Sequence, residues 1–175
     1  MKLTSDRLNI RPVESGDAEF ILEILNDPDF IEFTFDRKIR SLEAASEFLE
    51  NGPLAVFNER GIGLFVIELG ESQSPVGITS LTQRDYLPQP DVGFVVLPEY
   101  RGQGIATEAA QLTIDYARQE LGIDPLYAMA SADNERSIAI LKKLGMTFEE
   151  SISTECDCCT SLFKFDPSKS ITDLS

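Results

Sequence analysis

From Arg7 to Val13 polar and apolar residues alternate. Leu8 and Ile10 share one face and Pro12 falls near the end, which predicts a first strand. The period then changes. Ala18, Ile21, Leu22 and Leu25 recur at three-and-four spacing, the stripe of an amphipathic helix that starts near Asp17 and stops at Asp27-Pro28. Ser41 opens a second helix with Leu42, Ala45, Phe48 and Leu49 on one side, closed by Asn51-Gly52-Pro53. Between the two lie Phe30, Phe33 and Phe35 in a predicted loop, where they either plug the core or wall a substrate pocket.

Residues 62–69 and 75–83 are branched apolar runs around a turn at 70–74, so they form a hairpin. A loop at 85–90 carries Tyr86, a further aromatic available to a substrate, and Pro88 and Pro90. Residues 92–97 are almost wholly apolar and read as a buried central strand. A helix follows at 105–120, a strand at 126–130, a helix at 134–143 and two closing strands at 146–152 and 159–165. This order predicts a mixed α/β sheet with flanking helices. Residues 1–165 make one domain and 166–175 a polar tail.

Composition narrows the chemistry. The 175 residues suit a single domain with an apolar core. Histidine is absent, which excludes Ser-His-Asp and Cys-His nucleophile schemes and His-containing zinc sites. Acid and base work falls to carboxylates, Tyr, Cys, Ser or Lys. The formal charge is −15, spread as −6 over residues 1–60, −4 over 61–100 and −5 over 101–175. That balance argues against nucleic acid as a partner. It reads as a solvated acidic surface, or as a field that steers a cationic substrate. Cys156, Cys158 and Cys159 are odd in number and too close together for a disulfide framework, so we expect reduced thiols and no metal. The first residues lack the apolar stretch of a signal peptide and no run approaches a membrane span, so a cytoplasmic location with no membrane partner is expected.

The informative stretch is Val92-Gly93-Phe94-Val95-Val96-Leu97-Pro98-Glu99-Tyr100-Arg101-Gly102-Gln103-Gly104-Ile105-Ala106-Thr107. A buried strand ends, a glycine loop turns and a helix begins. Glycines allow close backbone approach, and the helix start offers unpaired N–H groups. Arg101 adds a positive charge. Together these make a pyrophosphate cradle. A P-loop string is absent, and Thr107 stands where a dinucleotide fingerprint needs its third glycine.

Arg101-x-x-Gly104-x-Ala106 resembles the [QR]-x-x-G-x-[GA] acetyl-CoA signature of the GNAT N-acetyltransferases. Asn134-x-x-Ser137, followed by Lys143-Leu144-Gly145-Met146, looks like the superfamily's second motif. Thr4-x-x-Arg7-Leu8-x-Ile10-Arg11-Pro12 is similar to the opening of the Rim-type branch, which holds the ribosomal-protein alanine and serine N-acetyltransferases. The resemblance covers roughly residues 4–165.

The resemblance implies the GNAT acetyl-CoA-binding fold, a mixed central sheet with two splayed parallel strands. It implies transfer of an acetyl group from acetyl-CoA to a primary amine, either a protein N-terminus or a small amine, by direct attack. The alternative is an acyl-CoA-binding sensor without turnover. Pantetheine would pair near Val95 and Val96. Gly102, Gln103, Gly104, Ile105, Ala106 and Thr107 would hold the pyrophosphate beside Arg101, and Asn134 would bond the pantetheine arm. Asp91 is the first candidate base and Glu99 the second, each weighed against a plain loop carboxylate. Ser137 is the candidate partner of the leaving sulfur, weighed against a local cap role. The family's tyrosine acid is replaced by Leu141. Phe33, Phe35 and Tyr86 are candidate acceptor contacts. A monomer or a homodimer is expected.

Overall fold

The computed structural model describes residues 2–153 and 159–166. Eight strands form one sheet: β1 (Leu3–Thr4), β2 (Leu8–Pro12), β3 (Gly63–Leu69), β4 (Pro75–Thr82), β5 (Asp91–Val96), β6 (Tyr127–Ser131), β7 (Met146–Ser153) and β8 (Cys159–Phe165). Their order is β1-β2-β3-β4-β5-β6-β8-β7. Neighbours are antiparallel except β5 and β6, which run parallel. Six helices flank them: α1 (Ala18–Leu25), α2 (Pro28–Phe33), α3 (Leu42–Asn51), α4 (Pro53–Arg60), α5 (Ile105–Gln119) and α6 (Glu135–Lys143). This is the mixed sheet with one parallel pair and flanking helices expected from the motifs. Among the described residues no helix is long and apolar enough to cross a membrane.

Alternation along the strands divides the core in two. On one face Leu8, Ile10, Phe65, Ile67, Val92 and Val96 pack with Ile105, Ala109, Ala110, Ile114 and Ala117 of α5. On the other, Val66 and Ile78 pack with α1 and α3 through Ile21, Ile24, Leu25, Ala45 and Leu49. Fully burying one such aliphatic side chain contributes about 1.5–3 kcal/mol. The buried Thr79 and Thr113 hydroxyls meet at 3.0 Å, which pins α5 to β4. Neither is left unsatisfied: one hydroxyl donates to the other, and the one that accepts donates in turn to a carbonyl at 2.9 Å, Thr113 to that of Ala109 or Thr79 to that of Gly93.

The predicted loop after Pro28 and the unassigned stretch after Pro53 are both helical. Pro28 ends α1 and also starts α2 as its first helical residue, because its fixed φ and missing N–H suit that position. Asp27 caps α2 by accepting from the Phe30 amide at 3.0 Å. Phe30, Phe33 and Phe35 therefore do not share a loop. Phe30 packs on the α1–α3 core, Phe33 is half-buried on α2, and Phe35 follows the helix with 52% exposure. Likewise Pro53 closes α3 and opens α4. The short strand β1 had no counterpart in the sequence pattern. Cys156, Cys158 and residues 167–175 of the expected tail lie outside the described residues.

Candidate functional site

The parallel pair is joined over only two positions, Asp91 opposite Tyr127 and Val92 opposite Ala128. Beyond them β5 stays with β4 and β6 with β8, so the sheet opens into a gap. The register decides which backbone groups face it. The Leu97 amide donates to Val76 at 2.9 Å, and residues of β5 alternate their polar groups between the two sides. Val95 and Gly93 therefore bond to β4, while Phe94 and Val96 point toward the gap. This corrects the expectation for Val95, whose amide is committed to Ile78, and it adds Phe94. By the same parity Tyr127, Met129 and Ser131 of β6 face β5.

At the open end, the chain passes a 3-10 turn at Pro98–Tyr100 and two left-handed glycines, Gly102 at φ 75° and Gly104 at φ 79°, before α5 begins. Few non-glycine residues hold that backbone region. Gly104 occupies the cap position of α5, and no side chain caps the helix. Among the described residues, the amides of Gly102, Gln103, Gly104, Ile105, Ala106 and Thr107 have no acceptor within the protein. Six successive free N–H groups at the start of a fifteen-residue helix form a site for a multiply charged anion. An open groove of about 470 Å³ leaves this cradle between α5 and the end of α6, past Gly104, Thr107, Gln111 and Lys143.

Arg101 does not lend its charge to the cradle. Its guanidinium donates to the Val96 carbonyl at 2.9 Å, to Asp29 at 2.5 Å and to Asp27 at 2.7 Å. Two carboxylates at the start of α2 neutralise it, so it clamps the loop to α2 and occupies the Val96 oxygen. Gln103 reinforces the clamp, its side-chain amide donating to the Glu99 carbonyl at 3.1 Å. Glu99 is exposed on the 3-10 turn, and its backbone carbonyl serves the loop. The cation beside the cradle is Arg7, which donates to the Gln103 carbonyl at 3.1 Å and to Glu108 at 2.9 Å through Nε.

Asp91 stands at the closed end of the gap, on the sheet face shared by Gly93 and Val95, and is 4% exposed. Its Oδ1 accepts from Arg84 Nε at 2.6 Å. Burial raises its pKa, the bond and charge of Arg84 lower it, and the net direction is upward. Arg84 was not singled out by the sequence; only its ion pair marks it. Arg37, with its guanidinium carbon 5.2 Å from the Phe48 ring centre, is lowered by desolvation and then by the charge of Arg84. Tyr86 is 56% exposed and its hydroxyl lies 3.9 Å from the Met129 sulfur, over the β6 wall. Asn134 caps α6, its Oδ1 accepting from the Ser137 amide at 3.1 Å. Ser137 is half-buried in the first turn.

Comparisons with known proteins agree with this geometry. A family model described as an acetyltransferase (GNAT) domain matches residues 7–147. The chain is 24% identical over 149 residues to the spermidine N(1)-acetyltransferase of Escherichia coli (strain K12), covering 85% of this chain and 77% of that protein. Its fold is similar to that of a Vibrio cholerae spermidine N-acetyltransferase in complex with CoA and spermine, with a TM-score of 0.78 at 18% identity, over 94% of this chain and 98% of the other. It is also similar to a ribosomal alpha-N-protein acetyltransferase in complex with coenzyme A, with a TM-score of 0.82 at 14% identity, over 94% and 97%.

Proposed function

The chain belongs to the GNAT acetyltransferase family, and from that premise we propose that it transfers an acetyl group from acetyl-CoA to the amine of a protein N-terminus or a similar small amine. The single observation that carries the reading is the run of free amides from Gly102 to Thr107. It is fitted to a diphosphate in a protein whose overall charge of −15 would otherwise repel one. Acetyl-CoA supplies the activated acyl group. The backbone of Phe94 and the Val96 amide extend the strand edge to its amide-bearing arm, and Asn134 stands at the opposite wall. A gap-facing N–H of β5 polarises the thioester carbonyl.

Asp91 takes the amine proton, through a water where the amine lies over Gly93, about 7 Å along the strand. Arg84 keeps that carboxylate charged against its burial. Ser137 bonds the departing sulfur. Phe33, Phe35 and Tyr86 line the approach of the acceptor.

The Rim-type reading rests on the opening motif and on the charges near Asp91. Asp91 balances Arg84, so Arg37 is the excess cation beside the pair, which disfavours a polycation. It also favours an amine that is already partly neutral. At pH 7.5 about a quarter of an α-amino group with pKa near 8 is unprotonated, against about one in a thousand for a lysine-like amine near 10.4. A polyamine acceptor is the second reading, supported by the Escherichia coli relative. A free-thiol release assay over N-terminal peptides, spermidine and aminoglycosides separates these. N-terminal peptides are expected to give the highest kcat/KM. A tenfold preference for spermidine transfers the assignment to the second reading. Acetyl-CoA binding with no stimulated thiol release would leave a sensor.

A further inference from the structure

Arg7 and Gln103 are 96 positions apart, yet one Arg7 Nη1 donates to the Gln103 carbonyl at 3.1 Å. A trans peptide points its C=O and the following N–H in opposite directions. With the Gln103 oxygen held on the Arg7 side, the Gly104 N–H faces away from Arg7, into the cradle. A side-chain carbon on Gly104 would lie 3.6 Å from Arg7 Nη2, so the guanidinium sits directly against this peptide. Glu108 and Ser5 hold the guanidinium in turn: Arg7 Nε donates to Glu108 Oε2 at 2.9 Å, Arg7 Nη2 also reaches that carboxylate, and Ser5 donates to its other oxygen. This matters because glycine at φ 79° has a shallow preference and can flip its preceding peptide. The same contact masks a carboxylate one turn from the free amides.

We propose that Arg7 is a positioning residue for the diphosphate-bearing cofactor, locking the Gln103–Gly104 peptide so that the Gly104 amide is presented to the anion. The proposal rests on the acetyl-CoA reading above. Arg7 itself donates to the loop and to Glu108, and the anion meets the amides.

The test uses Arg7→Met and the double variant Arg7→Met/Glu108→Gln. The double variant removes both charges together, so masking of Glu108 no longer distinguishes it from the parent, and it leaves no buried ion alone. Both variants should raise the KM for acetyl-CoA at least about tenfold, the loss of one bond from a charged donor, with kcat within twofold. In 1H–15N spectra, addition of CoA should move the Gly104 amide resonance of the parent and leave that of both variants nearly still. If Arg7→Met fails to fold, the double variant carries the test. A parent-like KM in the double variant overturns the proposal, because charge masking then explains the single variant. So does an unchanged CoA-induced shift at Gly104. Failure of the parent protein to bind CoA would instead sink the acetyl-CoA reading.

Discussion

Replacing Arg84 by Met should cost far more than replacing Asp91 by Asn, although both changes break one ion pair. The side chain of Arg84 is 37% exposed and that of Asp91 5%. In Arg84→Met the carboxylate stays buried with no counter-charge, which costs about 3–5 kcal/mol. In Asp91→Asn the guanidinium keeps an amide oxygen to donate to and much of its surface in water, so the cost is about 1 kcal/mol. At about 2–4 °C per kcal/mol for a chain this size, Tm should fall by about 6–20 °C and about 2–4 °C respectively. The pH dependence gives a second handle. The folded pKa of Asp91 lies above its ordinary value, with burial as the leading cause. A carboxyl of that kind stabilises the fold fully below its unfolded pKa of about 3.9, and the contribution is lost as pH rises through the folded value. Without Arg84 the folded value climbs further, so the deficit of Arg84→Met should be largest near pH 7.5 and should shrink toward pH 4.5. Thermal melts of both variants and the parent at the two pH values check this. A deficit equal to that of Asp91→Asn, or one that does not shrink in acid, would refute the reasoning.

Three further outcomes are expected. Gly77→Ala places a carbon 2.4 Å from the Val95 carbonyl oxygen and 3.1 Å from the Val96 Cα, so it should lower the denaturant-derived stability by about 2 kcal/mol; an unperturbed midpoint would mean β4 and β5 are not so closely apposed. Arg101→Met should cost about 3–5 kcal/mol, because it strands Asp27, whose side chain is 7% exposed, and frees the loop from α2; a parent-like Tm contradicts the clamp. Gly104→Glu should lose about 1–2 kcal/mol of stability from the left-handed backbone yet abolish CoA binding altogether, since a carboxylate then occupies the anion site. Retained affinity in that variant, measured by calorimetry, would move the site elsewhere.

What the sequence made legible was local. The strand–glycine loop–helix unit lies within sixteen consecutive residues, and its glycines and helix start follow from spacing alone. What it hid depends on partners far along the chain. Arg101 looks like a cradle cation because the string around it is all that can be read; Asp27 and Asp29, more than seventy positions upstream, claim it only once α2 is folded against the loop. Arg7 shows no link to Gln103 until β2 lies beside the start of α5. The choice between Val95 and its neighbours Phe94 and Val96 is one of parity, and parity is set by register with β4. Pro28 and Pro53 each carry two meanings, stop and start, and only the observed turn geometry selects both.

The central claim is that the free amides from Gly102 to Thr107 hold the diphosphate of CoA. A thermal shift with CoA tests it most directly. At a concentration about one hundred times Kd, binding to the folded state alone adds about 2.7 kcal/mol, which for a chain of this size is a rise in Tm of about 5–11 °C. The account predicts that rise for the parent protein and none for Gly104→Glu. An unchanged Tm of the parent at millimolar CoA would contradict it.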